Sequence, residues 1–303
     1  MEGADLLAGA LSVVSALIFT VSFALQQRAN LVAMEAGTSG AGAVVARREW
    51  IAGMALQPVA FGLQAAALGI GSMIVVETAI TTELAFMAPA GAWVLGTRPA
   101  RRELMAGLVV LAGLAVFVAS TRPTDGLDSA PFADWVVPLV LVAVAFVSLF
   151  ALGELLVDYQ AALRGAASGV WGGLMGALTK QMVGTAGDGW QALLSGWATW
   201  TLLAAGVVSI LWVNLALRSG RLSASLSAMA SATPVAGLLL AVSVFDEQLA
   251  GGTAARVVAL VAVGVVAVGI SMVARSPSLL ALDEAAHAAE HEPAPEADPE
   301  AAP

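Results

Sequence analysis

WVVPLVLVAVAFVSLFAL, residues 135–152, runs without a charged side chain from Asp134 to Glu154. A helix that crosses a bilayer needs about 20 mostly apolar residues. The run is continuous, whereas a membrane barrel strand would alternate over about 10 residues. A helix also satisfies its own backbone hydrogen bonds in lipid. Working outward, comparable runs lie on both sides. Together they predict nine helices, over 6–27, 50–70, 73–96, 103–121, 135–154, 167–186, 197–217, 222–245 and 254–274. Hydrophobic residues make up 59% of the chain and charged residues 12%, with a mean hydropathy of +0.88. A soluble fold of this length would leave too much apolar surface in water. The first run is followed by eight more, so it does not read as a signal peptide standing alone. The expected class is an all-α integral membrane protein whose main partner is the lipid bilayer.

The formal charge of −9 overstates the acidity of the membrane part. Seven of the 22 acidic residues lie after Arg275, leaving 15 against 13 basic residues in the rest. No basic patch points to nucleic acid. The chain has no cysteine, which excludes disulfides and thiol chemistry. Residues 276–303 are rich in Ala, Pro and Glu and read as a disordered acidic tail. Within it His287-Ala288-Ala289-Glu290-His291 spells a pattern also met in zinc peptidases. The tail supplies no third ligand or supporting shell, so the match reads as incidental.

Basic residues set the orientation. With the N-terminus outside, the inner side holds Arg28, Arg47, Arg48, Arg98, Arg101, Arg102, Arg164, Arg218, Arg221 and Arg275. The outer side holds only Arg122, Lys180 and Arg256. The expectation is N-terminus out and C-terminus in, in a prokaryotic plasma membrane.

An internal repeat is also visible. Ala67-Leu68-Gly69-Ile70-Gly71 closes the second helix and Ala216-Leu217-Arg218-Ser219-Gly220 the seventh, each followed at once by another helix. Trp50 and Trp200 open the two units, and Pro89 and Pro234 lie in the next helix of each. Residues 1–121 and 155–275 thus read as two four-helix copies. Between them are an outer loop (122–134) and a linking helix (135–154), which makes the copies enter the membrane from opposite sides. Inverted repeats of this kind are a common transporter plan, with a site near the midplane between halves.

The chain resembles the drug/metabolite transporter superfamily, in its EamA-like and NIPA-like magnesium transporter branches, over about residues 6–275. The resemblance is carried by Phe23-Ala24-Leu25-Gln26-Gln27-Arg28, by Trp50 through Leu63-Gln64-Ala65-Ala66-Ala67-Leu68-Gly69, by Gly107 and Gly113, by Leu178-Thr179-Lys180, and by the four-plus-five helix count. It implies a 4+1+4 inverted-repeat fold and transport, and leaves the substrate open. The chain departs from the family pattern at Glu77-Thr78, at Glu83 and at Arg98-Pro99-Ala100-Arg101-Arg102. Phe245-Asp246-Glu247-Gln248-Leu249, after the eighth helix, lies closer to it.

Ionisable groups inside a membrane are costly and are functional candidates by default. Counting inward at about 1.5 Å per residue puts Glu77 roughly 8 Å and Glu83 roughly 17 Å below the outer surface. Their side chains point about 120° apart, so they can line one wide cavity without forming a tight metal pair. Lys180 reaches a depth like that of Glu77, and an ion pair between them is allowed. The plain alternative is that Lys180 snorkels and Glu77 is a solvated mouth residue. Thr82, Gln57, Gln64 and Asn214 complete the candidate cavity, although the glutamines and Asn214 serve equally well as interhelical hydrogen-bond formers. Gly165, Gly169 and Gly173 recur every four residues, as do Ser223, Ser227 and Ser231, and read as close-packing faces. Pro58, Pro89, Pro138 and Pro234 are expected to kink their helices, and Pro89 and Pro234 are candidate hinges.

The leading expectation is a multi-pass secondary transporter of a small solute, working by alternating access without a cofactor. The alternatives are a NIPA-like carrier of Mg²⁺ or another divalent cation, with any metal ligands unassigned, and a non-transporting sensor or accessory protein. No nucleophile–base arrangement suggests an enzyme. A homodimer is compatible with the pattern.

Overall fold

The computed structural model describes residues 2–35, 44–94, 96–121, 126–217, 222–249, 252–275 and 280–281. The tail histidines and most of the acidic tail lie outside the described residues. The elements in chain order are α1 (Glu2–Glu35), α2 (Arg48–Leu68), α3 (Met73–Ile80), α4 (Glu83–Val94), α5 (Arg101–Thr121), α6 (Phe132–Leu155), a single 3₁₀ turn (Val157–Tyr159), α7 (Gln160–Ala186), α8 (Trp190–Ser195), α9 (Trp197–Leu217), α10 (Leu222–Phe245) and α11 (Thr253–Ala274). The architecture is all-helical, and each expected helix has a counterpart. The short α8 was not expected.

Seven stretches among the described residues are long and apolar enough to cross a membrane. The α7 helix is not among them. It carries Gly165, Gly169, Gly172, Gly173 and Gly176 and a buried Lys180 and Gln181. It is wrapped by α6, α9 and α10, so its surface meets other helices and does not need apolar bulk.

The third expected helix differs from the expectation. It is broken at Thr81-Thr82 into α3 and α4, not at Pro89. Across the break the Thr81, Thr82, Leu84 and Ala85 amides donate to carbonyls three residues back. Thr81 Oγ1 donates to the Glu77 carbonyl at 3.0 Å, a local bond that competes with regular helix. Pro89 stays inside α4. This broken helix is the most enclosed candidate span. Of its apolar stretch 72% is buried inside the protein, against 17–39% for the other six.

Glycines set two close helix crossings. Along α7 and α10, an added Cβ would lie 2.2 Å from the Ser225 carbonyl oxygen at Gly165, 2.4 Å from the Met229 carbonyl oxygen at Gly169, and 2.6 Å from Ala236 Cβ at Gly173. The facing positions of α10 include Ser225, Met229, Thr233 and Ala236. The side chains of Ser223 and Ser227 lie outside the described residues.

The α5–α11 crossing is reciprocal. A Cβ on Gly113 would meet Val266 Cγ2 at 2.7 Å and the Ala262 carbonyl at 3.2 Å. A Cβ on Gly269 would meet Val110 Cγ2 at 2.7 Å and the Ala106 carbonyl at 3.3 Å. Ala106, Val110 and Gly113 thus match Ala262, Val266 and Gly269 one for one. The partner number falls on one helix as it rises on the other, so the two helices run antiparallel.

Candidate functional site

The polar centre of the molecule gathers around α3. Its first residues follow Ser72, an N-cap whose hydroxyl accepts from the Ile74 amide at 3.1 Å. The Glu247 carboxylate reaches the same helix end from the segment after α10. It accepts from Ser72 Oγ (2.8 Å), the Met73 amide (2.7 Å) and the Ile74 amide (2.9 Å). It also forms an ion pair with Lys180 Nζ. Glu247 is fully buried and Lys180 is 4% exposed. A helix N-terminus carries a partial positive charge and free amides, and with the ammonium it satisfies the buried carboxylate.

Local backbone explains how Glu247 gets there. Asp246 takes a left-handed conformation, φ 54°, which aspartate tolerates better than most residues. The chain turns sharply past Phe245, and the Glu247 amide donates back to the Ala241 carbonyl. The segment before α6 lies over this corner. The Leu127 amide donates to the Phe245 carbonyl at 2.7 Å, and a Cβ on Gly126 would strike that same oxygen at 2.1 Å. Gln181 pins the loop further along, accepting from the Ala130 amide and donating to its carbonyl. The Lys180 ammonium also lies 4.9 Å from the centre of the Phe245 ring.

The expected Glu77–Lys180 ion pair is not formed, because Lys180 is taken by Glu247. Glu77 lies one turn further along α3 and is 1% exposed. Among the described residues neither of its carboxyl oxygens has a hydrogen-bond partner. Its side chain is wedged between α7 and α10. A Cβ on Gly176 would sit 2.0 Å from Glu77 Oε1, and one on Gly237 would sit 2.7 Å from Glu77 Cγ. The two glycines make the seat that the carboxyl fills. The Thr78 and Thr82 hydroxyls, four residues apart on α3 and its break, are likewise buried without a partner among the described residues.

The other candidates are dispersed. Glu83 opens α4 and is half-buried, where a first-turn carboxylate is favoured by the helix dipole. Gln57 and Gln64 are half-buried on α2, which packs mainly on α1. Asn214 belongs to α9 and its side chain lies outside the described residues. Gly165, Gly169 and Gly173 sit in the α7–α10 crossing described above. Pro89 and Pro234 lie inside their helices. Among the described residues no three acidic or histidine side chains converge as metal ligands would. Glu247, Ser72 and Gly237 are members of the cluster that sequence reasoning did not assign to a site.

No family model matches the chain, and no solved structure matches it. The chain is similar to an uncharacterized protein of Corynebacterium glutamicum, 27% identical over 202 residues, covering 66% of this chain and 70% of that one.

Proposed function

We propose that the chain is a multi-pass secondary transporter of a small solute that works by alternating access, with N-terminus outside and C-terminus inside a prokaryotic plasma membrane. The observation that carries this reading is Glu77. A carboxyl buried at the junction of α3, α7 and α10 without a donor among the described residues stabilises nothing that an apolar side chain would not stabilise better. Such a group inside a membrane is expected on an ion or substrate path. The helix that bears it is broken within the span, which is the usual form of transporter helices at their sites.

The inverted repeat of α1–α5 and α7–α11 is supported by the reciprocal α5–α11 crossing, since an antiparallel two-fold axis brings equivalent residues onto each other. The first half then contributes Glu77 and the Ser72 helix end. The second contributes Gly176, Gly237, Lys180 and Glu247. Rocking of the halves opens the Glu247 contact on the outer side. The divalent-cation alternative finds less support, because Glu77 and Glu83 stand on opposite sides of the helix break and no three acidic or histidine side chains converge among the described residues.

Two measurements test the reading. Single cysteines at Asp188 and Ser129 should react with an impermeant reagent in intact cells while one at Ala46 does not. The reverse pattern would overturn the orientation. A thermal-shift screen of the purified protein against amino acids, organic cations and Mg²⁺ should find a stabilising solute, since a ligand of the native state raises apparent stability by mass action. That solute should exchange across proteoliposomes. Binding without flux would favour the sensor alternative.

A further inference from the structure

We infer that Glu77, Lys180 and Glu247 form one proton-binding unit, in which two carboxyls compete for a single ammonium and the proton is taken up at Glu77. The coupling role of this unit rests on the transporter reading, whereas proton binding does not.

Lys180 is the chain's single lysine, and its ammonium is engaged by Glu247. Glu247 is further satisfied by a hydroxyl and two amides. Glu77 has no donor among the described residues. Other charges around α3 do not supply one. On α1, Asp5 accepts from the Ser72 amide at 3.2 Å and Arg28 lies over the Trp93 ring, while on α7 Arg164 pairs with Glu154. α10 carries no charged residue, and Asp246 beyond it is exposed. α2 and α5 carry charges only in their first turns, at Arg48, Glu49, Arg101, Arg102 and Glu103. Glu83 is a further acid on the far side of the break. With every group ionised the unit would hold one uncompensated negative charge away from water, which is costly unless the charge is paired or neutralised.

A proton removes that charge without needing room. A metal ion needs room, because Mg²⁺ and Ca²⁺ require six or more oxygen ligands. The Glu77 carboxyl already fills the space that a Cβ on Gly176 or Gly237 would need, 2.0 Å from Oε1 and 2.8 Å from Oε2 respectively.

The same geometry links proton loss to the outer contact. Lys180 and Gly176 are four residues apart on one face of α7, about one turn or ~5.4 Å. When Glu77 gives its proton up, its carboxylate competes with Glu247 for the ammonium one turn away. Glu247 then loses its counter-charge, and the tie between the segment after α10 and α7 is released. The proton passes between bulk water and a carboxylate oxygen, with no other bond made or broken.

The test uses the purified full-length protein. Infrared difference spectra across a pH jump should contain a protonated-carboxyl C=O band that is lost in Glu77→Gln. In parallel, a cysteine replacing the exposed Ile70 should be labelled several-fold faster at alkaline than at acid pH. That ratio should fall to one in both Glu77→Gln and Lys180→Met, after correction for thiol ionisation with a free-thiol standard. A folded Glu77→Gln protein with the wild-type infrared band overturns the proton site. Labelling in the otherwise wild-type protein that is independent of pH overturns the exchange of Lys180. Should Glu77→Gln fail to fold, Gly176→Ala keeps the carboxyl but pushes it from its seat, and an unshifted band there also overturns the proposal. A protein that passes these tests yet carries no solute in proteoliposomes keeps the proton site and loses the transporter reading.

Discussion

Glu247→Ala is expected to lower stability by about 3–5 kcal/mol, the range for breaking a buried ion pair by removing one partner. Three losses coincide. The Lys180 ammonium stays buried without its carboxylate. The Met73 and Ile74 amides lose a charged acceptor, although Ser72 Oγ still serves Ile74. The Ser72 hydroxyl also loses its acceptor. Because the contact ties the segment after α10 to both α3 and α7, the damage should be global, not confined to one loop. Unfolding in mixed detergent, followed by tryptophan fluorescence, reads it directly, since the fully buried Trp135 stacks edge-on against Phe245 with ring centres 5.8 Å apart. Glu247→Gln combined with Lys180→Met should recover much of the loss, because no unpaired ammonium remains. Additive damage in that double variant would mean that the pair contributes nothing beyond its separate parts.

The helices were legible because each apolar run is bounded by charges, glycines or prolines. Seven of them carry a sequence signal strong enough to stand alone, and α9 and α7 were found by the same counting. The break at Thr81-Thr82 was not legible. Three threonines within five residues fit a buried helix as well as a broken one, and Pro89 was the more conspicuous breaker. The partner of Lys180 was missed for a different reason. Depth counting put Glu77 level with Lys180, but depth fixes neither rotation nor neighbours. In the expected topology Asp246-Glu247 stood at the outer end of an apolar helix, at nearly the depth of the single lysine, and that coincidence was the available signal. Gly176 and Gly237 offered no signal of their own. A glycine in an apolar helix says that something approaches closely, without saying that it is a carboxylate from a helix about 100 residues away in one case and 160 in the other, read off the numbering.

Alanine at Gly165, Gly169 or Gly173 should each cost about 1–3 kcal/mol, the range for overpacking a well-filled contact. Alanine is normally the better helix former, by about 1 kcal/mol over glycine, so propensity alone predicts the opposite sign. The obstacle is backbone. The new methyl at Gly165 would meet the Ser225 carbonyl, and that at Gly169 the Met229 carbonyl and the Thr233 amide nitrogen. Neither group can rotate away as a side-chain end could, so α10 must translate as a body. That movement predicts sub-additivity. Once one alanine has pushed α10 outward, the second and third find part of their room already made. It also predicts a functional cost, because α10 carries Gly237, half of the seat of Glu77. Gly62→Ala and Gly264→Ala provide the contrast, since nothing lies within 4 Å of a Cβ at either position. They should be neutral or stabilising by up to about 1 kcal/mol. If the seam variants and these two shifted the unfolding midpoint alike, the α7–α10 contact would not be as close as the glycines require.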